Sequence, residues 1–239
     1  MSHHQTHRGA APEDEELFSS KEMPAFRNAL RDLQWLLDHG YAITSSLELV
    51  GNRYALVNRQ RMAVARCVCS SAACLGRRKT QVDAQALNGQ ELWLDGFNVL
   101  TAVEVALGGG FILKGLDGCF RDMAGVHARY RRVAETVPAI SLIGNFLTTY
   151  KAQKCIWWLD RPVSNSGRLK KMIEHLANEN NWNWTVELVF SPDKVLSETD
   201  RIIATADSVI LDRCQRWINL SALVIIQHIP TSRLIDIIV

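Results

Sequence analysis

Three aspartates end short apolar runs that are typical of buried β-strands. Asp95 ends the run ELWLD, Asp160 ends CIWWLD and Asp207 ends IIATAD. In an open α/β sheet, the ligand crevice lies at the carboxyl ends of the strands. We therefore expect the three carboxylates to converge in one coordination sphere for Mg²⁺ or Mn²⁺, which prefer oxygen ligands.

The residues after Asp95 also indicate a binding role. The sequence continues as Gly96-Phe97-Asn98, and a helix is expected over residues 99–107. A buried carboxylate at such a turn is costly unless it meets a cation or hydrogen-bond donors. Asn98 would orient a metal-bound water or a neighbouring carboxylate. The alternative is that Asp95 only caps the following helix.

A basic segment precedes these strands. No acidic residue occurs between Glu48 and Asp83, whereas the same span contains Arg53, Arg59, Arg61, Arg66, Arg77, Arg78 and Lys79. Arginines without matching carboxylates repel one another unless an anion neutralises them, and guanidinium groups match phosphate groups. We therefore expect residues 51–79 to contact a nucleic-acid backbone. The alternative is a solvated helix face with some arginines paired to acids elsewhere in the fold.

A small polar loop follows Asp160. It runs into a helix expected over residues 169–178, and its polar side chains are Ser164, Asn165, Ser166 and Arg168. Such a loop at a helix N-terminus is suited to binding an anion. We therefore count these four residues as candidate nucleic-acid contacts. The alternative is an ordinary group of helix-capping residues.

Composition limits the remaining possibilities. The chain has 239 residues and is 47% hydrophobic, which is enough for a full core, and its net charge of +2 does not indicate a partner. Six cysteines without disulfide-like spacing predict free thiols in a reducing compartment, and therefore a cytoplasmic protein. No apolar run reaches the ~20 residues that a membrane helix needs, so no membrane partner is expected. The oligomeric state is left open, with a homodimer as one option.

The pattern along the chain predicts three parts. Residues 1–22 are polar and are expected to form a disordered tail, residues 23–85 a basic helical subdomain, and residues 86–239 an α/β domain. Within the α/β domain, alternation predicts a half-buried strand over residues 182–190. A helix is expected to begin at Arg121 and Asp122, and a last core strand is expected over residues 223–226.

Two of these strand ends resemble those of PIN-like nucleases, especially of their NYN branch. The element DGFNVL at residues 95–100 is similar to their first strand, and residues 203–210 resemble a later strand with a Thr-(small)-Asp motif. Asp160 occupies the place of the second-strand aspartate. The resemblance implies an α/β fold with a PIN-like parallel sheet flanked by helices, behind an N-terminal helical subdomain. It also implies metal-dependent cleavage of RNA.

The whole chain after about residue 25 more closely resembles an uncharacterised prokaryotic family, domain of unknown function 434. The motifs that carry this resemblance are GNRY at 51–54, RQR at 59–61, DGFNVL at 95–100, DG at 117–118 with RD at 121–122, and SNSGRL at 164–169. This family implies no substrate.

The NYN resemblance also implies a further aspartate on a helix well before the Thr-(small)-Asp strand. The nearby acids are Asp193, Glu198 and Asp200, and none of them matches clearly. Glu104 and Asp117 are therefore retained as further metal ligands, with Asp122 as a third substitute.

The sequence thus leads to a hypothesis with named roles. Asp95, Asp160 and Asp207 would hold Mg²⁺ or Mn²⁺ for phosphodiester hydrolysis. The supporting positions around them would be Asn98, Asp122 and Ser208. The substrate backbone would be held by Arg53, Arg59, Arg61 and Arg66.

The preferred hypothesis for the function is an endoribonuclease. The alternative is a nucleic-acid-binding or interaction module with a degenerate PIN-like site. A phosphohydrolase that acts on a small nucleotide through the loop at residues 164–168 is disfavoured, because a haloacid-dehalogenase enzyme would carry Asp-x-Asp after its first strand and Asp95-Gly96-Phe97 does not match it.

Overall fold

The computed structural model describes residues 6–124 and 130–237. Its helices are α1 (Asp14–Leu17), α2 (Met23–Asp38), α3 (Ile43–Arg53), α4 (Asn58–Cys67), α5 (Ser71–Thr80), α6 (Gly96–Leu107), α7 (Thr136–Thr149), α8 (Ser166–Glu179), α9 (Pro192–Ser197), α10 (Ser208–Leu211) and α11 (Leu220–His228). Its strands are β1 (Glu91–Asp95), β2 (Phe111–Lys114), β3 (Phe120–Asp122), β4 (Lys154–Asp160), β5 (Trp184–Val189), β6 (Ile202–Ala204), β7 (Trp217–Ile218) and β8 (Arg233–Asp236). A short 3₁₀ helix, Ala84–Leu87, precedes β1.

A five-stranded parallel sheet forms the centre of the protein, in the order β5-β4-β1-β6-β7. Leu92 and Leu94 of β1 are fully buried on one face, in a core shared with α6, α7 and α11. On the other face, Ile203 and Trp217 pack with residues of α9 and α10. A parallel sheet is stable only when both faces are covered, and this explains the unbroken apolar runs of β1 and β4.

The helical N-terminal region packs on a second, three-stranded sheet in the order β3-β2-β8. Phe26, Leu30 and Leu33 of α2 are buried in one core with Leu113 of β2 and Ile235 of β8. The helices expected over residues 23–85 are therefore present, but their apolar faces are buried against strands from the later part of the chain.

The structure corrects the expectation of a disordered tail for the residues of that segment that it describes. Residues 6–22 include α1, and Phe18 is buried in the core with Phe26. The Asp14 carboxylate is also buried and accepts hydrogen bonds from Arg59, with Arg59 Nη2 at 2.8 Å. One large apolar side chain and one ion pair are enough to fix a segment whose composition is otherwise polar.

Two secondary-structure expectations in the second half of the chain are wrong. Residues 223–226 belong to α11 rather than to a strand, because a short apolar run is equally compatible with a buried helix. Arg121 and Asp122 lie in β3 rather than at a helix start. The continuation of that expected helix falls on residues 125–129, outside the described residues. By contrast, the alternation over residues 182–190 is confirmed by β5.

The cysteines differ from expectation at one pair. Cys69 and Cys74 form a disulfide across the turn between α4 and α5, with their Cα atoms 6.2 Å apart. That separation lies within the range a disulfide can bridge, which spacing in the sequence alone does not reveal. The other four cysteines are free and buried. No helix in the described ranges is long and apolar enough to cross a membrane.

A buried ion network joins the helical region to the α/β sheet. Asp117, in the turn between β2 and β3, accepts two hydrogen bonds from the Arg121 guanidinium, at 2.9 and 2.6 Å. Arg77 of α5 donates to the same carboxylate at 2.5 Å and to Asp212 at 2.7 Å. Arg121 also donates to the Ala206 carbonyl at 2.8 Å. The network therefore fixes the chain just before Asp207.

The charges of this network balance. Burial alone would raise the pKa of Asp117, but the hydrogen bonds and charge of Arg121, together with Arg77, lower this pKa to about 2. An ionised Asp117 with two guanidinium partners has no capacity left for a metal ion. The sequence-based assignment of Asp117 as a metal ligand is therefore wrong.

Replacing Asp117 with asparagine should destabilise the protein strongly, because two buried guanidinium groups lose their counter-charge. Removing one partner of a buried pair costs about 3–5 kcal/mol. Since the folded-state pKa of Asp117 lies below the unfolded value of ~3.9, its contribution should be present above pH ~4 and lost as the pH falls towards 2. Urea unfolding of wild type and Asp117→Asn between pH 3 and 7 measures both effects.

The matched control is Asp200→Asn, which alters an exposed carboxylate paired with Arg201 on the surface. Exposed pairs contribute ~0–1 kcal/mol. If Asp117→Asn loses no more unfolding free energy than this control, the stabilising role of the ion network around Asp117 is contradicted.

Candidate active site

The turn after β1 is shaped by close packing and by hydrogen bonds to the β6–α10 segment. A Cβ added at Gly96 would lie 2.5 Å from the Leu159 side chain, so a glycine is required where α6 meets β4. Thr205 donates its hydroxyl to Asp95 at 2.7 Å. Asn98 accepts from the Ala206 amide at 2.8 Å. The motif residues thereby tie β1 to the segment that contains Asp207.

The three strand-end aspartates lie at one edge of the parallel sheet. β1 lies between β4 and β6, and Asp95 is level with Trp158, two residues before Asp160 at the end of β4. β6 ends at Ala204, and Asp207 follows three residues later as the N-cap of α10. Asp207 accepts from the amides of Val209 and Ile210, so it has a capping role as well as a place at this edge.

A fourth carboxylate joins them from α9. This short helix begins after β5, and it places Asp193 beside Asp95 and Asp207 at the same cavity. Asp193 is one of the acids for which the sequence gives no clear match, because the direction of a six-residue helix is decided by tertiary packing. We refer to Asp95, Asp160, Asp193 and Asp207 as the acidic cluster.

The pKa values show that the acidic cluster lacks a balancing positive charge. Burial, together with the charges of the other three aspartates, raises the pKa of Asp95 to about 8 despite the hydrogen bond from Thr205. The pKa of Asp160 is raised by burial and by the charge of Asp193. The pKa of Asp193, which lies at the exposed mouth, is raised by partial burial and by the charge of Asp207. Within residues 6–124 and 130–237, none of the four forms a salt bridge.

A cavity of about 410 Å³ opens beside the cluster. Its polar lining residues are Asp95, Asp122, Asp193, Asp207, Asn98, Thr101, Ser208, Arg66 and Arg121. Thr101 is a site residue that sequence reasoning missed. Its side chain is buried, and its hydroxyl finds no hydrogen-bond partner among the described residues. Its position three residues after Asn98, on the same helix face, is the signal that could have identified it.

The carboxylates do not form a ready-made metal centre. Across the described part of the chain, no three His, Cys, Asp or Glu side chains are arranged so that they could hold a metal ion. The expectation that Asp95, Asp160 and Asp207 share one coordination sphere is therefore not met in this structure. The four groups influence one another electrostatically, and side-chain rotation would be needed to bring them onto one ion.

The other acids proposed as ligands have different surroundings. Glu104 lies on α6, buried among Tyr130, Thr136 and Arg8, and accepts from the Thr136 hydroxyl at 2.6 Å. It does not line the cavity, so its assignment as a metal ligand is wrong. Asp122 does line the cavity and accepts from the Ala124 amide at 2.7 Å.

Two family models match the chain. Residues 84–223 match the family described as Domain of unknown function (DUF5616), a range of more than half of the protein. The chain belongs to this family. Residues 25–79 match the family described as Protein of unknown function (DUF434), which supports the resemblance seen in the sequence for the helical region.

One relative extends across both regions. The uncharacterized protein MJ0935 of Methanocaldococcus jannaschii is 29% identical over 187 residues, which cover 78% of this chain and 89% of that protein. No solved structure matches the chain. All four aspartates of the acidic cluster lie within the range matched by DUF5616, and three of them, Asp95, Asp193 and Asp207, line the cavity whereas Asp160 does not.

Two of the four arginines expected to hold the substrate backbone have internal contacts in this DUF5616 protein. Arg59 pairs with buried Asp14, and Arg61 donates to the Leu56 carbonyl at 2.8 Å and to Asn52 at 2.8 Å. A Cβ at Gly51 would lie 2.6 Å from the Arg61 guanidinium. The motifs GNRY and RQR therefore hold α3, α4 and α1 together. The pairing with buried Asp14 corrects the assignment of Arg59 to nucleic acid, whereas Arg61 forms no ion pair among the described residues and stays a predicted contact.

Arg53 and Arg66 differ from these two. Arg53 is largely exposed, with Asp32 at 3.5 Å. Arg66 of α4 lines the cavity, donates to the Asp122 carbonyl and lies 4.0 Å from the Asp122 carboxylate. Arg66 is thus the residue through which the basic helix reaches the cavity.

The polar loop before α8 packs against Tyr130. Asn165 has a left-handed backbone, with φ of 71°, and donates to the Tyr130 carbonyl at 2.8 Å. Ser166 is buried, and the Ser164 carbonyl accepts from the Tyr130 amide at 3.3 Å. Arg168 is exposed. None of these residues lines the cavity, and Asn165 at the N-cap makes no side-chain capping hydrogen bond, so the geometry supports a packing role for Asn165.

Replacing Asp95 with asparagine should stabilise the metal-free protein increasingly as the pH rises. Because the folded-state pKa of about 8 lies above the unfolded value of ~3.9, Asp95 stays protonated in the folded protein while the unfolded chain releases this proton. The stability of the wild type therefore falls by up to about 1.4 kcal/mol per pH unit between these values. Asparagine does not titrate, and it keeps an oxygen that accepts from Thr205. Urea unfolding in EDTA at pH 5, 6 and 7 gives the difference in stability.

The control for this series is Asp200→Asn, whose carboxylate is exposed and outside the cluster. If the difference in the free energy of unfolding between wild type and Asp95→Asn does not change with pH, the raised pKa of Asp95 is contradicted.

Proposed function

We propose that this protein is a metal-dependent nuclease, an endoribonuclease that hydrolyses phosphodiester bonds with Mg²⁺ or Mn²⁺. The proposal rests on one observation. Four aspartates converge at the carboxyl edge of a parallel sheet, and the pKa values of three of them are raised without a pairing cation among the described residues. A divalent cation is the partner that would relieve this repulsion.

The chemistry of the lining residues fits such a cation. Among the described residues that line the cavity, the potential side-chain ligands are the oxygens of Asp, Asn, Thr and Ser, and none of these lining residues is a cysteine or histidine. Oxygen-rich sets of this kind suit Mg²⁺ and Mn²⁺ rather than Zn²⁺. The unpartnered hydroxyl of Thr101 supplies a further buried group that a bound water or ligand would satisfy.

The resemblance to NYN-type nucleases supports the same function. The chain shares with them the Asp-Gly-(aromatic)-Asn element at Asp95 and the Thr-(small)-Asp element at Asp207. These nucleases carry a further aspartate on a helix well before the second element, and Asp193 is an acid of this chain that lies on a helix before that element. RNA is preferred to DNA on this resemblance alone.

Each residue then has a defined task. The ligands would be the four aspartates of the acidic cluster, and the bound cation would activate a water molecule and stabilise charge on the phosphate. Thr205 fixes one oxygen of Asp95, and Asn98 holds the Ala206 amide, so the two strand ends keep a constant separation. Arg66 faces the cavity from the helical region and would bind a phosphate oxygen.

A second function has an observation in its favour. Since no three candidate ligands among the described residues are arranged to hold a metal ion, the site also suits a module that binds nucleic acid without cleaving it. The two functions differ in their response to Mn²⁺, which separates them experimentally.

The test of cleavage uses single-turnover assays on mixed RNA with Mn²⁺, together with calorimetric titration of Mn²⁺ alone. Asp95→Asn and Asp193→Asn should each weaken Mn²⁺ binding, since each removes one charged ligand. Both should reduce cleavage by at least about a hundredfold, which corresponds to ~2.7 kcal/mol of transition-state stabilisation. Both variants should fold, because Asp95→Asn is expected to gain stability and Asp193 is exposed.

Asp200→Asn is the matched control, since it removes an exposed carboxylate near β6 that lies outside the cavity. Equal rates in wild type and Asp95→Asn would remove the cluster from the reaction. RNA binding without cleavage or Mn²⁺ binding by the wild type would establish the binding module instead.

Arg66→Gln should weaken RNA binding and reduce its salt dependence. Loss of one phosphate contact to a single strand lowers the slope of log K against log salt by about 0.7. Arg78→Gln is the control, because Arg78 is an exposed arginine of the same basic segment that does not line the cavity. Filter binding over a range of NaCl concentrations measures both slopes, and equal slopes for the two variants would exclude Arg66 as a phosphate contact.

A further inference from the structure

An exposed aromatic side chain lies just after β5, three residues before Asp193 of the acidic cluster. Phe190 follows β5 directly and is 75% exposed, more than any other large apolar residue in the described ranges. Single exposed apolar residues are common and need no explanation by themselves. Phe190 differs because of its neighbours in space and in the chain.

A cation is placed over the Phe190 ring. The Arg161 guanidinium carbon lies 5.2 Å from the ring centroid. The contact is fixed by the sheet, because the Arg161 amide donates to the Val189 carbonyl at 2.7 Å. Asp160 pairs with Val189 in the register of β4 and β5, so Arg161 and Phe190 leave the sheet side by side. An arginine that covers one ring face leaves the other face for a second planar group.

Both members of this pair adjoin the acidic cluster along the chain. Arg161 directly follows Asp160, and Phe190 precedes Asp193 by three residues. Neither side chain lines the cavity, but the pair leaves the sheet at the carboxyl edge where Asp160 ends β4 and where Asp193 follows β5. An aromatic face beside a cation is the arrangement that binds unpaired nucleobases by stacking, with the arginine available to the adjoining phosphate.

We propose that Phe190 and Arg161 form a nucleobase-binding subsite, which stacks a base adjacent to the phosphate that is held at the acidic cluster. The subsite rests on the proposed function for its position relative to the cleaved bond. Stacking needs a base that is not enclosed in a duplex, so Phe190 is a residue that determines specificity. A base paired within a helix presents only its edges and cannot lie against this ring.

The experiment measures binding separately from cleavage. A single-stranded RNA oligonucleotide containing 2-aminopurine, whose fluorescence is quenched by stacking, is titrated with protein in Ca²⁺, which provides an oxygen-coordinated cation in place of Mn²⁺. Phe190→Ala should lower the affinity roughly fivefold to a hundredfold, the range expected for one stacked base, and should abolish the change in quenching. Phe190→Trp should retain both, and Arg161→Gln should lose part of the affinity.

The matched controls are Trp35→Ala, which removes an exposed aromatic residue of the helical region, and Ile226→Ala, which removes an exposed apolar residue of α11. Both should bind like the wild type. Binding of a blunt RNA duplex should be insensitive to Phe190→Ala. The subsite is refuted if Phe190→Ala binds the single strand as tightly as the wild type, if Trp35→Ala loses as much affinity, or if the wild type binds no RNA.

Failure of the subsite and failure of the proposed function give different results. Cleavage in Mn²⁺ that is unchanged by Phe190→Ala would leave the nuclease in place and remove the subsite. Phe190-dependent binding in a protein that cleaves nothing would support the subsite and assign it to the nucleic-acid-binding module.

Discussion

Burial of the carboxylates in the acidic cluster, together with the repulsion among them, is the constraint on which the candidate site depends. A parallel sheet necessarily brings the ends of β1, β4 and β6 to one edge, and this sequence places a carboxylate at or just beyond each of them. The pKa of Asp95, at about 8, shows how unfavourable the charged form is in the absence of a counter-ion. Side-chain hydrogen bonds from Thr205, and the buried core on both faces of the sheet, must offset that cost.

A second buried aspartate nearby shows what a purely structural carboxylate looks like in the same fold. Asp117 is as deeply buried as Asp95, but its pKa is lowered to about 2, because Arg121 and Arg77 surround it. The two residues are linked through the chain: Arg121 donates to the Ala206 carbonyl, next to Thr205, which donates to Asp95. The ion network around Asp117, whose charges balance, therefore supports the acidic cluster, whose charges do not. This contrast is the physical reason to assign function to Asp95 and not to Asp117.

The sequence predicted the parts of this arrangement that depend on local pattern. Apolar runs located β1, β4 and β6, and the aspartates that follow them reach one edge because parallel strands must end together. The parts that were missed depend on distant contacts. Arg59 pairs with Asp14, 45 residues away in the sequence, and Arg77 pairs with Asp212, 135 residues away. No rule of sequence spacing predicts such pairs. Asp193 was ambiguous for a similar reason, since packing alone decides which way the short helix α9 points.

The internal use of the arginines changes how a substrate would be attracted. With Arg59, Arg61 and Arg77 engaged in the fold, Arg66 and Arg121 are the guanidinium groups that line the cavity, and Arg121 is already paired with Asp117. The four carboxylates beside them would repel a phosphate chain. A bound divalent cation would reverse that balance, because it removes the net negative charge from the place where the phosphate must lie. Cation and nucleic acid should therefore bind with positive coupling, each raising the affinity for the other by the same factor. The basic helix, which the sequence presents as the main attraction for nucleic acid, then acts chiefly by holding Arg66 at the cavity.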